Sequence, residues 1–123
     1  MKTMTNNEIY NIANTLNQAF TDASQYLPVK VNFYIQKNKS TLLALAQDIE
    51  RARVNILKNY GTLNEETNQF EFTQDKAQIV MQELNDLFSL EQEVNVYTVN
   101  IDSFGDDLSL TTGQMEALMF MID

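Results

Sequence analysis

The stretch PVKVNFYIQKNKSTLLALAQDIERARVNILKNYG, residues 28–61, decides the fold because it predicts one unusually long helix. Apolar side chains recur in it every seven residues, the spacing of a narrow seam of the coiled-coil type. Pro28 is expected in the first turn, where its missing N–H costs nothing, and Gly61 is expected to end the helix in the left-handed conformation. About 30 residues would make a rod of about 45 Å. The seam consists of Ile35, Leu42, Ile49 and Ile56, flanked by Val31, Leu45 and Ala52.

Positive charge is concentrated on this helix, although the 123-residue chain carries a formal net charge of −9. Residues 30–58 hold six cations and two carboxylates, a net charge of +4, which leaves −13 for the rest of the chain. Four of the cations follow the seven-residue period and lie roughly 140° around the helix from the seam. This cationic stripe consists of Lys30, Lys37, Arg51 and Lys58.

Two interpretations of the cationic stripe stay open. Surface ion pairs are common and individually weak, so the favoured one places the stripe partly in solvent and partly against the protein's own acidic helices. In the other, the four cations contact an acidic protein partner or nucleic acid. Nucleic acid is disfavoured because only Tyr34 and Tyr60 would offer stacking and because the pI is near 4.3.

Two further helices are predicted on either side of the long one. Thr5-Asn6-Asn7-Glu8 is a capping box that starts a first helix, which continues to about residue 22. A third helix is predicted from Thr73 to about residue 91, packed antiparallel to the long helix as a helical hairpin. Met81 is expected to fill the core. The apolar face of the third helix is Ala77, Val80, Met81, Leu84, Leu87 and Phe88.

A strand and a short helix are predicted to close the chain. Residues 93–101 are rich in β-branched side chains, which favours a strand. The apolar residues shift parity within it, from the even-numbered Val94 and Val96 to the odd-numbered Tyr97, Val99 and Ile101. This shift indicates a bulge or a strand buried on both faces. Its partner is either the short segment 69–72 or the same strand of a second copy, which would make a homodimer. Thr111-Thr112-Gly113-Gln114 is a second capping box before a C-terminal helix. The apolar residues of that helix are Met115, Leu118, Met119 and Ile122.

Together these elements predict an α+β fold, mostly α, in a single domain over residues 1–123. A long helical hairpin is joined by a short N-terminal helix, a small β element and a short C-terminal helix. No secretion signal and no membrane-spanning apolar run is visible in the sequence, so a soluble cytoplasmic protein that does not enter a membrane is expected.

The side chains present disfavour enzyme chemistry. The chain has no cysteine and no histidine, which removes thiolate nucleophiles, the usual neutral-pH base and the commonest zinc ligands. Asp102, Asp106 and Asp107 cluster around Gly105, but a solvated turn is favoured over a weak divalent-cation site because the spacing does not match an EF-hand loop. No tyrosine has an identifiable base beside it, and there is no glycine-rich phosphate loop. We therefore predict no enzymatic activity, no cofactor and no catalytic or metal-binding residue.

From residue 5 onward the chain resembles a set of small proteins encoded by phages and prophages of low-GC bacteria. The shared plan is Leu-Pro-x-Lys, a long helix with Glu-x-x-Arg and a terminal Tyr-Gly, a second helix, a strand with Glu-Val and a short terminal helix. The matching positions are Leu27, Pro28, Lys30, Glu50, Arg53, Tyr60, Gly61, Glu93 and Val94. The resemblance implies a viral gene product made in a bacterial host cell, and it assigns no functional residue.

Two classes of function fit these expectations. The slightly favoured one is a non-enzymatic interaction protein that binds a host factor stoichiometrically, as an inhibitor of a host defence or host enzyme would. A related hypothesis is an oligomer whose seam and strand enclose a small signalling molecule. The second class is a virion morphogenesis factor, such as an assembly chaperone or a minor structural protein.

Overall fold

One long helix organises the fold in the computed structural model, which describes residues 1–20, 27–104 and 110–123. The predicted class is confirmed, since the chain is α+β and mostly helical. The predicted end of the first helix, near residue 22, lies outside the described residues. In chain order the elements are β1 (Lys2–Thr5), α1 (Asn6–Ala19), α2 (Val29–Tyr60), β2 (Thr62–Asn64), β3 (Gln69–Glu71), α3 (Gln74–Ser89), β4 (Glu91–Val94) and α4 (Thr112–Leu118).

Helix α2 is a single 32-residue helix that buries the predicted seam. Ile35, Leu42 and Ile49 are all buried, whereas Ile56 is only half-buried. A strict seven-residue repeat drifts by about 20° per heptad on a straight α-helix, so three heptads turn Ile56 by about 60° from the line of Ile35. The seam therefore anchors the first two thirds of α2 most firmly.

Helices α2 and α3 pack together as the expected helical hairpin, with α1 against both. The apolar face of α3 is narrower than predicted. Val80 is buried and Leu84 and Leu87 are half-buried, but Met81 is 71% exposed. The prediction that Met81 fills the core is wrong, because its position on the helix points to the flank of the packed face rather than to its centre.

Gly61 ends α2 by a different mechanism from the predicted one. Its φ of −119° and ψ of 169° are extended, not left-handed. What the position requires is space, because the ring of Phe72 lies directly over the Gly61 Cα. A β-carbon there would collide with that ring and would lie 2.9 Å from the carbonyl oxygen of Leu57. The glycine therefore allows β3 to fold back over the end of the long helix.

The small β element pairs differently from the prediction. The predicted strand at residues 93–101 is shorter, covering only Glu91–Val94, and it pairs antiparallel with β1 of the same chain, from Lys2 opposite Val94 to Thr5 opposite Glu91. The segment at 69–72 is not its partner, because β3 pairs with β2 as a separate hairpin. β4 pairs with β1 of the same chain. Its backbone groups therefore do not require a strand of a second copy, which was the reason for expecting a homodimer.

The chain leaves the sheet after Val94, two residues before the parity shift between Val96 and Tyr97, so the shift reflects neither a bulge nor a strand buried on both faces. Val94 and Val99 are both buried, but between them the chain forms no regular strand. Val99 instead makes an isolated parallel bridge with Ile122, in which the Val99 N–H donates to the Met121 carbonyl at 2.8 Å. The C-terminal residues thus hold this segment against the core.

Both predicted capping boxes are confirmed. The hydroxyl of Thr5 accepts from the Glu8 N–H at 3.1 Å at the start of α1, and that of Thr111 accepts from the Gln114 N–H at 3.2 Å at the start of α4. Helix α4 ends after Leu118 in a tighter 3₁₀ turn, Met119–Met121. That change of pitch exposes Met119, which was predicted on the apolar face, and buries Met121 in its place.

Candidate partner interface

All four cations of the predicted stripe are exposed on the side of α2 that faces away from the seam. Lys30 and Lys37 lie near the N-terminal end of the helix, and Arg51 and Lys58 near its C-terminal end. The spacing of residues 37 and 51 corresponds to about 21 Å along the helix, so the stripe consists of two separate pairs. The surroundings of the two pairs differ.

The N-terminal pair lies among exposed apolar side chains. Val29 is 86% exposed and Phe33 is 54% exposed, although both are large hydrophobic residues. Phe33 lies between the two lysines in sequence and on the same side of the helix. We call this region the aromatic–lysine surface; it comprises Val29, Lys30, Phe33, Tyr34, Lys37 and Tyr97.

The rings and ammonium groups of the aromatic–lysine surface are in contact. The Lys30 Nζ lies 5.7 Å from the centre of the Tyr34 ring, and the Lys37 Nζ lies 5.5 Å from the centre of the Phe33 ring. Both distances are within the cation–π range. The Tyr34 ring is 6.3 Å from that of Phe33 and 5.1 Å from that of Tyr97. The surface is therefore a connected set of three rings, two of which, Phe33 and Tyr34, each have an ammonium group over them.

Asn38 fixes the position of Tyr97 on this surface. The side chain of Asn38 is 1% exposed, and its Nδ2 donates to the Tyr97 carbonyl oxygen at 2.8 Å. The Tyr97 N–H in turn donates to the Asn38 Oδ1, also at 2.8 Å. Asn38 Nδ2 also lies 3.4 Å from the Met121 Sδ. One buried amide thus binds both backbone groups of a residue that belongs to no regular element.

The C-terminal pair of cations has different surroundings. Arg51 forms an ion pair with Asp48, Nη1 to Oδ1 at 3.1 Å, within its own helix. Lys58 is exposed in the last turn of α2. Tyr60, one of the two aromatics predicted among the cations, donates instead to Glu83 of α3 at 3.1 Å, and that carboxylate raises the pKa of the Tyr60 hydroxyl. No exposed ring accompanies Arg51 or Lys58 in the part of the chain that the structure describes.

The positions that carried the resemblance are mainly architectural. Arg53 donates to both carboxylate oxygens of Glu50, at 2.9 and 2.6 Å, and Tyr10 of α1 donates to Glu50 at 3.1 Å. The Arg53 hydrogen bonds, followed by that of Tyr10, lower the pKa of Glu50. The same carboxylate raises the pKa of Tyr10. This group of three side chains therefore joins α1 to α2.

Sequence reasoning identified the cations of this surface but missed Phe33 and Tyr97. The signal for Phe33 was present, since a ring three residues after Lys30 and four before Lys37 must share their side of a helix. Tyr97 carried no such signal, because tertiary contacts with Asn38 and Tyr34 bring it there.

Within residues 1–20, 27–104 and 110–123, no three acidic side chains are grouped closely enough to hold a metal ion. Asp102 lies in that part of the chain, with its N–H bonded to the Asn100 Oδ1 at 2.9 Å. Asp106 and Asp107, the other members of the predicted cluster, lie outside the described residues. Among the helices that the structure describes, none has the length and apolar content needed to cross a membrane.

Comparison with known proteins gives no relative: no protein-family model, no curated protein and no solved structure matches the chain. The resemblance to phage and prophage proteins therefore stays a prediction, and the chemistry of the surface is what supports a function.

Proposed function

We propose that the protein acts without catalysis, by binding an acidic segment of another protein stoichiometrically through the aromatic–lysine surface. The supporting observation is that Phe33 is exposed between Lys30 and Lys37, with the exposed Val29 next to Lys30, on an otherwise acidic molecule. Aromatic side chains are enriched at the energetic centre of protein interfaces, and cations near them select a partner of opposite charge.

The overall charge of the chain does not oppose this proposal. At physiological ionic strength, charges separated by more than about 8 Å are largely screened, so a short acidic segment responds chiefly to nearby groups. Here those are Lys30 and Lys37. The partner we propose therefore offers carboxylates for the two lysines and an apolar side chain for Phe33 and Val29.

The resemblance suggests where such a partner would be found. We propose that the protein is made by a phage or prophage in the bacterial cytoplasm and that its partner is a host factor, as for an inhibitor of defence. Virion morphogenesis is the alternative, and the identity of the partner decides between them. An oligomer that encloses a small molecule with its seam is disfavoured, because the seam is buried within the chain.

Charge reversal of the two cation pairs tests the proposed surface. Lys30→Glu/Lys37→Glu should reduce the amount of partner captured from the producing cells by at least about tenfold, because it removes both charges beside Phe33. Arg51→Glu/Lys58→Glu is the matched control, since it changes the net charge of the same helix equally. It should reduce capture by less than about threefold. Capture is quantified by mass spectrometry after nuclease treatment.

Three outcomes would contradict the proposal. Equal losses in both double variants would show that overall charge, not this surface, governs binding. Capture unchanged in Lys30→Glu/Lys37→Glu would place the interface elsewhere. Capture abolished by nuclease would show that the partner is nucleic acid. Circular dichroism of all variants checks that the fold is intact.

A further inference from the structure

The outer side of β4 is an unpaired strand edge. β4 and β1 form a sheet of only two strands, so β4 is paired on one side. At the end of this ladder the Asn6 N–H donates to the carbonyl of Leu90, the residue opposite it, at 2.8 Å. Bonded and non-bonded pairs alternate along an antiparallel ladder, so the even-numbered residues of β4 bond to β1. The N–H and C=O groups of Glu91 and Glu93 therefore point away from β1.

The outer edge of β4 is the side of the sheet where a further strand can add. In the part of the chain that the structure describes, no group forms a hydrogen bond with the outward backbone groups of Glu91 and Glu93, and only β1 packs extensively on β4. The opposite edge is less available, because the Thr5 N–H of β1 donates to the Glu8 Oε1 at 3.2 Å and α1 begins at the next residue. An unpaired strand edge is a template for pairing with another chain.

Two carboxylates line this edge on one face of the sheet. Successive side chains of a strand alternate between faces, so Glu91 and Glu93 share a face and lie about 7 Å apart. Both are exposed, and among the described residues neither takes part in an ion pair. An added strand would place the Cβ atoms of its opposite residues about 5 Å from theirs, on the same face. The two carboxylates are therefore positioned to contact side chains of an added strand.

These charges select a basic strand. Opposite charges in cross-strand pairs stabilise a sheet, and like charges directly opposite destabilise it. Two copies of this chain that paired fully through β4 would set glutamate against glutamate, so a second copy is disfavoured. A strand with lysine or arginine at alternate positions is complementary to both carboxylates. Leu90, which precedes β4 and has the parity of the other face, is 58% exposed and offers an apolar contact for the residues between the cations.

We infer that the outer edge of β4 binds an extended basic segment of a partner protein, which adds to the sheet as a third strand with cations opposite Glu91 and Glu93. In this mode of recognition, main-chain hydrogen bonds provide affinity and alternate side chains provide specificity. The inference is independent of the proposed function, because the edge and the aromatic–lysine surface share no residue and favour partners of opposite charge.

An end-capped peptide of six residues, alternating lysine and valine, is the probe for this inference. Titrations at physiological salt, followed by amide NMR, should show binding centred on β4 and slower hydrogen exchange of the Glu91 and Glu93 amides. A peptide with glutamates in place of the lysines should bind at least about tenfold more weakly. N-methylation of one alternate set of peptide amides should weaken binding at least about tenfold, and of the other set less than about threefold, because only one set faces β4.

Glu91→Gln/Glu93→Gln removes both charges but keeps the backbone edge, so it should weaken binding of the lysine peptide by about fivefold or more. Glu65→Gln/Glu66→Gln is the matched control, since it changes the net charge equally at exposed positions beyond the other end of α3, roughly 24 Å along that helix. The control should alter binding by less than about twofold. All four glutamates are exposed, so both variants should fold.

No binding of the lysine peptide would overturn the inference. Equal effects of the two N-methylated sets would also overturn it, because the peptide would then not be held as a strand. Equal losses in the two double variants would overturn it as well, since general charge attraction would then explain the binding.

Discussion

Leu42→Asp is expected to leave most of the chain unfolded in water at 25 °C. Leu42 is completely buried at the centre of the α2 seam, between Ile35 and Ile49. An uncompensated carboxylate at such a site costs several kcal/mol, and small domains have only about 5–15 kcal/mol of stability in total. Because α1 and α3 both pack on α2, the loss should spread to all three helices together.

Urea unfolding followed by circular dichroism at 222 nm measures this effect. Ser40→Asp is the control, because it introduces the same charge two residues away at an exposed position of the same helix. It should change the free energy of unfolding by less than about 0.5 kcal/mol. If the two variants unfolded at the same urea concentration, Leu42 would not be a core residue and the seam would not stabilise the fold.

Asn38→Leu should lower the free energy of unfolding by about 2–4 kcal/mol, because it leaves both backbone groups of Tyr97 without their partner. It should also release Tyr97 from its contact with the Tyr34 ring, which NMR shifts of both rings would detect. Asn55→Leu changes an exposed asparagine of the same helix in the same way and should alter stability by less than about 0.5 kcal/mol. Similar stability in the two variants would show that the Asn38 amide does not hold Tyr97.

Local patterns made much of this fold predictable from the sequence. The two capping boxes involve residues three apart, and the α2 seam depends only on helical period, so both could be identified without any tertiary information. The four cations of the stripe were placed on a side of α2 away from the seam for the same reason. These features need no knowledge of what the helix packs against.

Features that depend on distant partners were not predictable. Strand β1 has a single apolar side chain that is buried, Met4, and it forms a strand because β4 supplies its backbone hydrogen bonds. The length of β4 is set by where the chain turns toward Asn38. Gly61 was assigned the wrong role because the ring that crowds it belongs to Phe72. Phe72 lies outside both α2 and α3, so the pattern of neither helix indicates the contact. Met81 was misplaced because helical period defines a face but not its width.

A photo-crosslinking amino acid, p-benzoylphenylalanine, placed at position 33 tests most directly whether the aromatic–lysine surface binds a partner. The control carries it at position 44, where Ala44 is exposed on the same outward side of α2 about three turns away. Irradiation in the producing cells should give one dominant adduct at position 33, with a protein that is linked through a segment rich in Asp and Glu, and little or none at position 44. The absence of an adduct at position 33, or the same adducts at both positions, would contradict the account.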